Sequence, residues 1–272
     1  MGDIIAGFCA THTPRIADEA NAPEFTRELI AGMHELGDLV DTLRPDAIVM
    51  ISTHWFTTFV HYVACHPRHK GYVTALECPD MINSLPYDFP GDPELGRLMV
   101  KKGDERGVPV FVADQPNFVF DYGSVVPVRY LTPRNDVPFV IVSLTAVCPL
   151  EEYYTWGEAV AAAIRELRRR VLVVTSGSFS HTLVRGPERW PLEEHQKLDR
   201  ELVGLLCEGR LDEARAMLPW FVETTRAEGW GKHIAFLLSL LGASGHALKG
   251  KLHAYGPSSG SGNPVVSLLP VG

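Results

Sequence analysis

The sequence has little positive charge and no long apolar run, and these two absences exclude broad classes of protein. Its 272 residues contain 25 Lys and Arg against 33 Asp and Glu, which gives a formal net charge of −8. Nucleic-acid-binding proteins usually carry a basic face, so we expect no nucleic-acid partner. No apolar stretch reaches the about 20 residues that a membrane helix needs, and Met1-Gly2-Asp3 does not open an export signal. We therefore predict a cytoplasmic protein without a membrane partner.

Cysteines are too few and too dispersed to build a disulfide framework. The five are odd in number and form no Cys-x-x-Cys pair: Cys9, Cys65, Cys78, Cys148 and Cys207. This pattern is typical of proteins whose thiols stay reduced. The chain also lacks internal repeats, linkers and low-complexity tracts, and its length suits one large domain. We predict a single domain over residues 1–272.

What the sequence does contain is a recurring strand pattern that ends in a histidine. Each of three apolar runs of strand length is followed closely by one: residues 4–10 by His12, 47–52 by His54 and 171–175 by His181. In an open α/β sheet, ligands bind at the carboxyl ends of such strands. A single histidine there is most simply a hydrogen-bonded structural residue, but three together predict a shared metal or catalytic site.

Strands alternate with helices through most of the chain. This order predicts an α/β fold in which a central mixed, largely parallel sheet is flanked by helices. Helices are expected at residues 23–43, 93–106, 151–170, 191–208, 211–218 and 228–241, and further strands at 59–65, 108–112, 138–143 and 265–269. Residues 66–91 and the aromatic stretch at 117–127 are interpreted as loops.

Two imidazoles and one carboxylate form the ligand set typical of non-haem Fe(II) oxygenases, which leaves coordination positions open for substrate and dioxygen. The candidate carboxylates are Asp212, Glu223 and Glu228. Glu228 stands out because it precedes the most apolar predicted helix, where a negative charge is favourable. It could equally serve only to cap that helix, and spacing does not choose among the three acids.

Six segments, taken in order, resemble the type III extradiol ring-cleavage dioxygenases, the LigB-like family. They run from one end of the chain to the other, at residues 2–14, 44–55, 121–127, 175–181, 226–229 and 256–263. Within the family, the similarity is greatest to the homoprotocatechuate 2,3-dioxygenases and to the catalytic subunit of 2-aminophenol 1,6-dioxygenase. No single segment is specific, but the ordered set is.

The resemblance implies an oxidoreductase that incorporates both atoms of O2 into an aromatic ring. It implies that Fe(II) is held by His12, His54 and Glu228, that His181 acts as the acid and base, and that Tyr122 lines the active site. The family commonly forms oligomers, sometimes with a related non-catalytic subunit, so a homo-oligomer is expected here.

Three further residues are expected to contact the substrate. His61 lies seven positions after His54, Arg185 (or Lys232) could pair with a substrate carboxylate, and Trp230 lies where the chain departs from both subfamilies. The substrate implied is a catechol, such as a substituted catechol. Three alternatives stay open: a 2-aminophenol-type substrate, a zinc enzyme built on the same pocket, and a non-catalytic member of the superfamily.

Overall fold

The architecture consists of one eight-stranded sheet and a separate two-stranded hairpin. The computed structural model describes residues 2–271, and their strands are β1 (Asp3–Ala10), β2 (Ala47–Thr57), β3 (His61–Ala64), β4 (Arg68–Val73), β5 (Leu85–Pro90), β6 (Val110–Ala113), β7 (Phe139–Thr145), β8 (Arg170–Ser176), β9 (Leu248–Ser258) and β10 (Ser261–Pro270). The large sheet has the order β6-β3-β7-β2-β8-β1-β10-β9, and β4 pairs with β5. The neighbours β7, β2, β8 and β1 run parallel, whereas β10 and β9 are antiparallel at one edge. The predicted fold class is confirmed.

The apolar runs become central strands because both of their faces are covered. In β2, Val49 and Ile51 face one hydrophobic layer, whereas Ile48 and Met50 face the other, as the alternation of side chains along a strand requires. The covering helices are α1 (Arg27–Leu43), α2 (Pro93–Asp104), α3 (Tyr122–Leu131), α4 (Leu150–Leu167), α5 (Glu193–Cys207), α6 (Leu211–Thr225) and α7 (Lys232–Ser244). Helices α1 and α3 pack on one layer and the others pack on the opposite layer. No helix within residues 2–271 combines the length and apolarity needed to cross a membrane.

The first predicted loop, residues 66–91, contains the hairpin β4–β5. Val73, Tyr87 and Phe89 of this hairpin are buried in the same hydrophobic layer as α1. Prolines and a glycine within the two strands weaken the strand pattern in the sequence, since both residues are disfavoured inside sheets. The prediction of an irregular loop was therefore wrong for the two six-residue strands of this segment and holds for the residues between them.

The second predicted loop, residues 117–127, is a loop only as far as Asp121, and the prediction was wrong beyond it because helix α3 begins at Tyr122. The Asp121 side chain accepts a hydrogen bond from the Ser124 backbone N–H at 2.9 Å and so caps the helix. The helix is rich in valine, which favours strands, but burial of Val125 and Val126 overrides that local preference.

Helix α6 begins at Leu211 as predicted, but its end and both ends of the next helix differ from the prediction. Helix α6 continues through Pro219 to Thr225 because Phe221 and Thr225 are buried, which outweighs the hydrogen bond that proline removes. Helix α7 begins at Lys232, and Glu228–Gly231 form a short 3₁₀ turn before it. The predicted strand at 59–65 exists as β3 and pairs with β7 and β6.

The carboxyl ends of β1, β8 and β2 lie side by side, because β8 sits between the other two. The pairing of β2 with β7 is interrupted between Ile51 and Phe56, an irregularity of the kind that re-aims a side chain. His54 lies within this interruption. The backbone N–H of Glu228 donates to the Phe179 carbonyl at 3.2 Å, which fixes the 3₁₀ turn beside the segment that leaves β8.

Candidate active site and metal centre

Three side chains converge where these strands end. His12 Nε2 and His54 Nε2 each lie 3.4 Å from the same oxygen, Oε1 of Glu228. The potential ligand atoms of all three residues lie within 4.8 Å of one another. We call this group of three residues, a candidate metal site, the metal centre. The structure therefore brings together all three of the residues that the sequence resemblance proposed as ligands.

His12 is held by a hydroxyl that fixes its tautomer. Its Nδ1 lies 3.0 Å from Ser176 Oγ, and that hydroxyl donates its own proton to the Gly123 carbonyl at 2.6 Å. Because the hydroxyl proton is engaged, Ser176 Oγ accepts from Nδ1–H of His12. The lone pair of His12 is consequently on Nε2, the nitrogen that faces Glu228, as a metal ligand requires.

His54 is oriented by a carboxylate that the sequence did not indicate. Its Nδ1 lies 3.1 Å from Oε1 of Glu77, which comes from the loop between β4 and β5. A carboxylate accepts from Nδ1–H and leaves the lone pair on Nε2. The Tyr122 hydroxyl lies 2.9 Å from that nitrogen, so Tyr122 is at the centre, as expected.

Glu228 is placed by an unusual backbone turn. The three residues after it, Gly229, Trp230 and Gly231, have φ of 54°, 55° and 68°. This left-handed region is unfavourable for a bulky residue such as tryptophan and is frequent at functional sites. At Gly229 a Cβ would also lie only 2.3 Å from a Leu144 methyl carbon, so any larger residue there would displace the buried Leu144 side chain.

The carboxylate of Glu228 is buried and fully hydrogen-bonded. Thr53 Oγ1 donates to Oε1 at 2.6 Å, and the Ser178 backbone N–H donates to Oε2 at 2.5 Å. Burial raises the pKa of Glu228, but when the imidazoles are protonated the charge and hydrogen bond of His12 and the hydrogen bond of His54 hold it well below its ordinary value. Burial likewise disfavours the protonated form of His54, but Glu228 outweighs it and raises the pKa of that imidazole.

A cation fits this centre on charge grounds. In the described part of the chain, the only basic groups within 4.0 Å of the Glu228 carboxylate are the two imidazoles. Glu77 and Asp121 add further negative charge around His54. A buried carboxylate without a lysine or arginine partner is stabilised by a metal ion, and the two imidazole nitrogens and one carboxylate oxygen suit Fe(II) or Zn²⁺.

His181 lies beside the centre but outside the three-residue group. It lines a cavity of about 590 Å³ together with His54 and Glu228. Burial lowers the pKa of His181; the charge of Glu228 opposes this shift, and the rings of His12 and His54 reinforce it. The imidazole is therefore neutral at pH 7 and able to accept a proton.

The segment that presents His181 is clamped by a buried aspartate. Asp199 accepts from both the backbone N–H and the hydroxyl of Ser180, at 3.0 and 2.6 Å, and from the Tyr255 hydroxyl at 2.5 Å. The backbone N–H of His181 donates to the Thr225 carbonyl at 3.1 Å. These contacts fix the backbone on either side of the His181 ring.

The remaining walls of the cavity are mostly apolar. Phe56, Val222, Ala227 and Trp230 line it, and the rings of Phe56 and Trp230 lie 5.8 Å apart. Trp230 is thus at the cavity, where the sequence analysis expected it. A second cavity, of about 350 Å³, lies on the other side of His54 and is lined by Glu77 and Tyr122 among others.

The structure does not bring His61 and Arg185 to either cavity. His61 is fully buried, with Nε2 2.8 Å from Glu152 and Nδ1 3.1 Å from Thr145. Arg185 is exposed on the segment after His181. Lys232, the other candidate for a substrate carboxylate, is buried and donates to the Thr145 and Ala146 carbonyls.

A histidine that the sequence pattern did not single out lies beneath the centre. His233 is fully buried in α7, and its Nε2 lies 3.1 Å from the carbonyl of Ser178, whose N–H binds Glu228. Burial lowers the pKa of His233 to about 4, so it is neutral. A polar residue within the most apolar helix is a signal that could have identified it.

Comparison with known proteins assigns the chain to a family. The family model described as the catalytic LigB subunit of aromatic ring-opening dioxygenase matches residues 6–264. The chain is 29% identical to 3,4-dihydroxyphenylacetate 2,3-dioxygenase of Escherichia coli over 238 residues, which cover 84% of this chain and 85% of that enzyme. It is 27% identical to the beta subunit of 2-aminophenol 1,6-dioxygenase of a Pseudomonas species over 288 aligned positions, which cover 97% of this chain and 93% of that subunit.

A solved structure shares the fold. An uncharacterized protein from Escherichia coli K12 aligns with a TM-score of 0.65 at 22% identity and covers 97% of this chain and 99% of its own. The structural alignment and the family match thus both cover nearly the whole length of the chain. This protein belongs to the LigB family of aromatic ring-opening dioxygenases.

Proposed function

We propose that this protein is an Fe(II)-dependent extradiol dioxygenase that opens the ring of a catechol-type substrate with O2. The observation that carries the proposal is the approach of two imidazole Nε2 atoms to one oxygen of Glu228 at the wall of a cavity. Two neutral nitrogens and one carboxylate leave coordination positions free for a chelating substrate and for dioxygen. When bound, Fe(II) would supply these positions and the electron transfer that ring opening requires.

His181 is the proposed proton carrier. A catechol hydroxyl must lose its proton before its oxygen can act as an anionic ligand, and the product must regain one. The neutral imidazole of His181, which lines the same cavity as His54 and Glu228, accepts that proton and later returns it. The contacts of Ser180 and His181 with Asp199 and Thr225 keep the imidazole in place during both transfers.

Tyr122 is the proposed hydrogen-bond donor to the substrate. Burial, reinforced by the charges of Glu77 and Glu228, raises the pKa of its phenol far above the ordinary value. The hydroxyl therefore keeps its proton and can donate to a substrate oxygen that replaces its present contact with His54. Such a donor stabilises the negative charge that develops on that oxygen.

The apolar walls hold the ring and exclude water. Phe56 and Trp230 present aromatic faces on one side of the cavity, and Val222 and Ala227 line it with aliphatic groups. Packing against these surfaces orients the ring with its two hydroxyls toward the metal centre. Trp230 is therefore proposed as a substrate contact, as the sequence analysis expected.

A 2-aminophenol-type substrate is the second candidate. It is supported by the relative named as the beta subunit of 2-aminophenol 1,6-dioxygenase, whose alignment covers 97% of this chain. That name also supports a proposal that this chain assembles into oligomers, either with itself or with a related subunit. The five free cysteines fit a reducing compartment such as the cytoplasm, which is the proposed location.

The test is oxygen uptake by anaerobically purified protein loaded with Fe(II). Catechol, 3,4-dihydroxyphenylacetate and 2-aminophenol are supplied in turn, and the absorbance of the ring-opened product is followed. Rapid uptake with one of these and loss of uptake on chelation are expected. Zn²⁺ in place of iron in the anaerobically purified protein, without oxygen uptake, would support the zinc alternative, and iron binding without oxygen uptake on any substrate would support a non-catalytic member.

A further inference from the structure

A second group of potential metal ligands lies outside the active site. His61 in β3, Cys148 in the turn before α4 and Glu152 in α4 place one ligand atom each within 4.8 Å of the others. We call these three residues the thiol cluster. None of them lines the cavities around His54. His61, which the sequence analysis placed in the substrate pocket, belongs to this group instead.

The cluster is preorganised around His61. Its Nε2 lies 2.8 Å from Oε1 of Glu152, and its Nδ1 lies 3.1 Å from the hydroxyl of Thr145. With no ion bound, Nε2–H donates to Glu152 and Nδ1 accepts from Thr145. Because a hydroxyl can accept as well as donate, Thr145 can also hold the tautomer with hydrogen on Nδ1 that a metal ion on Nε2 requires. A metal ion would then replace the hydrogen bond between Nε2 and the carboxylate. A hydroxyl or carbonyl that orients the distal nitrogen is typical of metal-bound histidines.

Cys148 gives the cluster a soft ligand. Its Sγ lies 3.5 Å from the Thr145 carbonyl, and burial raises the pKa of the thiol to about 11, an effect that Lys232 opposes. A coordinating metal removes the thiol proton outright. Thiolate, imidazole and carboxylate together suit Zn²⁺ or Co²⁺ in tetrahedral geometry, with a fourth position for water.

The cluster is both charge-balanced and reachable. The buried ammonium of Lys232 is fixed by the Thr145 and Ala146 carbonyls at 2.8 and 2.6 Å. Burial lowers the pKa of Lys232, and the nearby Cys148 and Glu152 oppose that shift. The cluster therefore does not need a metal ion to be stable. Glu152 retains 22% of its side-chain exposure, and Cys148 is half-buried, so an ion has a route from solvent.

We propose that the thiol cluster is a second metal site that takes Zn²⁺ or a similar divalent cation through His61, Cys148 and Glu152. Binding at this site has two requirements. The ion must displace the proton of Cys148, and it must replace the hydrogen bond between His61 and Glu152. This inference does not depend on the reaction at the metal centre.

Cobalt titration of the iron-loaded protein tests the proposal. Co²⁺ bound to a thiolate gives a sulfur-to-metal charge-transfer band in the near ultraviolet, and the metal centre of His12, His54 and Glu228 contains no sulfur. The band is therefore specific for a thiol site. We expect it to saturate at about one equivalent per chain and to disappear when Zn²⁺ is added.

Variants assign the band to this cluster. Cys148→Ser should abolish it, and Glu152→Gln should weaken Co²⁺ binding, whereas Cys207→Ser, which alters another half-buried thiol, should leave it unchanged. Circular dichroism confirms that each variant is folded. Absence of the band at a large excess of Co²⁺, or its persistence in Cys148→Ser, would overturn the proposal. The iron content and oxygen uptake of Cys148→Ser report separately on the metal centre.

Discussion

The metal centre and the thiol cluster both contain histidine and glutamate, but the negative charge of the glutamate is balanced differently in each. At the metal centre, two imidazoles lie 3.4 Å from one carboxylate oxygen, and no lysine or arginine of the described chain lies within 4.0 Å of that carboxylate. In the thiol cluster, one imidazole lies 2.8 Å from Glu152, and Lys232 supplies a positive charge nearby. Among the described residues, the metal centre therefore lacks a lysine or arginine to balance its carboxylate, whereas the thiol cluster has Lys232. A histidine beside a glutamate is therefore not sufficient to predict a permanent metal site.

The largest expected effect is the loss of a ligand at the metal centre. His54→Ala removes one of the two imidazoles that face Glu228, so iron content and oxygen uptake should both fall to background. The loss should exceed the about 10- to 100-fold effect of removing an outer partner. Iron analysis by mass spectrometry measures it. Cys148→Ser is the matched control, and iron loss in that variant would show that the two groups are not independent.

A slower reaction with intact iron is expected from His181→Ala. Because His181 is outside the ligand group, the variant should retain its iron but lose about 10²- to 10⁴-fold in kcat. Arg185→Gln, on the exposed segment nearby, should leave kcat and KM unchanged. Steady-state oxygen uptake distinguishes the two. Unchanged turnover in His181→Ala would remove the proton-carrier role.

In the metal centre and in the thiol cluster, a hydroxyl group orients one histidine. Each of these hydroxyl groups can be removed by its own substitution. Ser176→Ala takes the partner from His12 Nδ1, and Thr145→Val takes it from His61 Nδ1. Each should weaken metal binding at its own group by about 10- to 100-fold and leave the other group unaffected. Iron retention against a chelator measures the first, and the cobalt titration measures the second. If both variants weakened iron retention equally, the metal centre and the thiol cluster would not be independent.

The smallest predicted effect is a difference in pH dependence. The pKa of His181 is lowered in the folded protein. The imidazole therefore stays neutral, and able to accept a proton, at pH values below the ordinary histidine pKa of about 6.5. The acidic limb of kcat should therefore lie below pH 6.5. Metal binding to the thiol cluster should instead become stronger as the pH rises. Its Co²⁺ affinity should increase by about tenfold per pH unit as long as Cys148 has to release a proton on binding. An acidic limb above pH 6.5, or cobalt binding that is independent of pH, would contradict these expectations.

The sheet and the three strand-end histidines could be predicted because both follow from local pattern. An apolar run of strand length specifies a buried strand, and the parallel order places the ends of β1, β8 and β2 together. Glu228 required the family resemblance, since its position depends on a turn with three left-handed residues that the spacing of acids does not reveal. The resemblance also identified Tyr122 at the centre, but not the capped helix that presents it.

The residues that sequence reasoning missed are held by long-range contacts. Glu77 approaches His54 only because the segment from 66 to 91 forms a hairpin instead of a loop. His61 was assigned by its distance from His54 along the chain, yet β3 pairs with β7 and β6 and carries it away from the cavity. Closeness along the chain was therefore a poor guide to the position of His61, because the order of strands in the sheet determines where that residue lies.

The hairpin has a consequence for how such an enzyme can diversify. It pairs within itself, outside the eight-stranded sheet, yet its connecting loop delivers the Glu77 carboxylate to the distal nitrogen of His54. Insertions or substitutions in that loop would leave the sheet and the ligand set intact while altering the electron-donating strength of one ligand. The redox potential and metal preference of the centre could thus drift independently of the fold, through a segment that contributes no ligand itself.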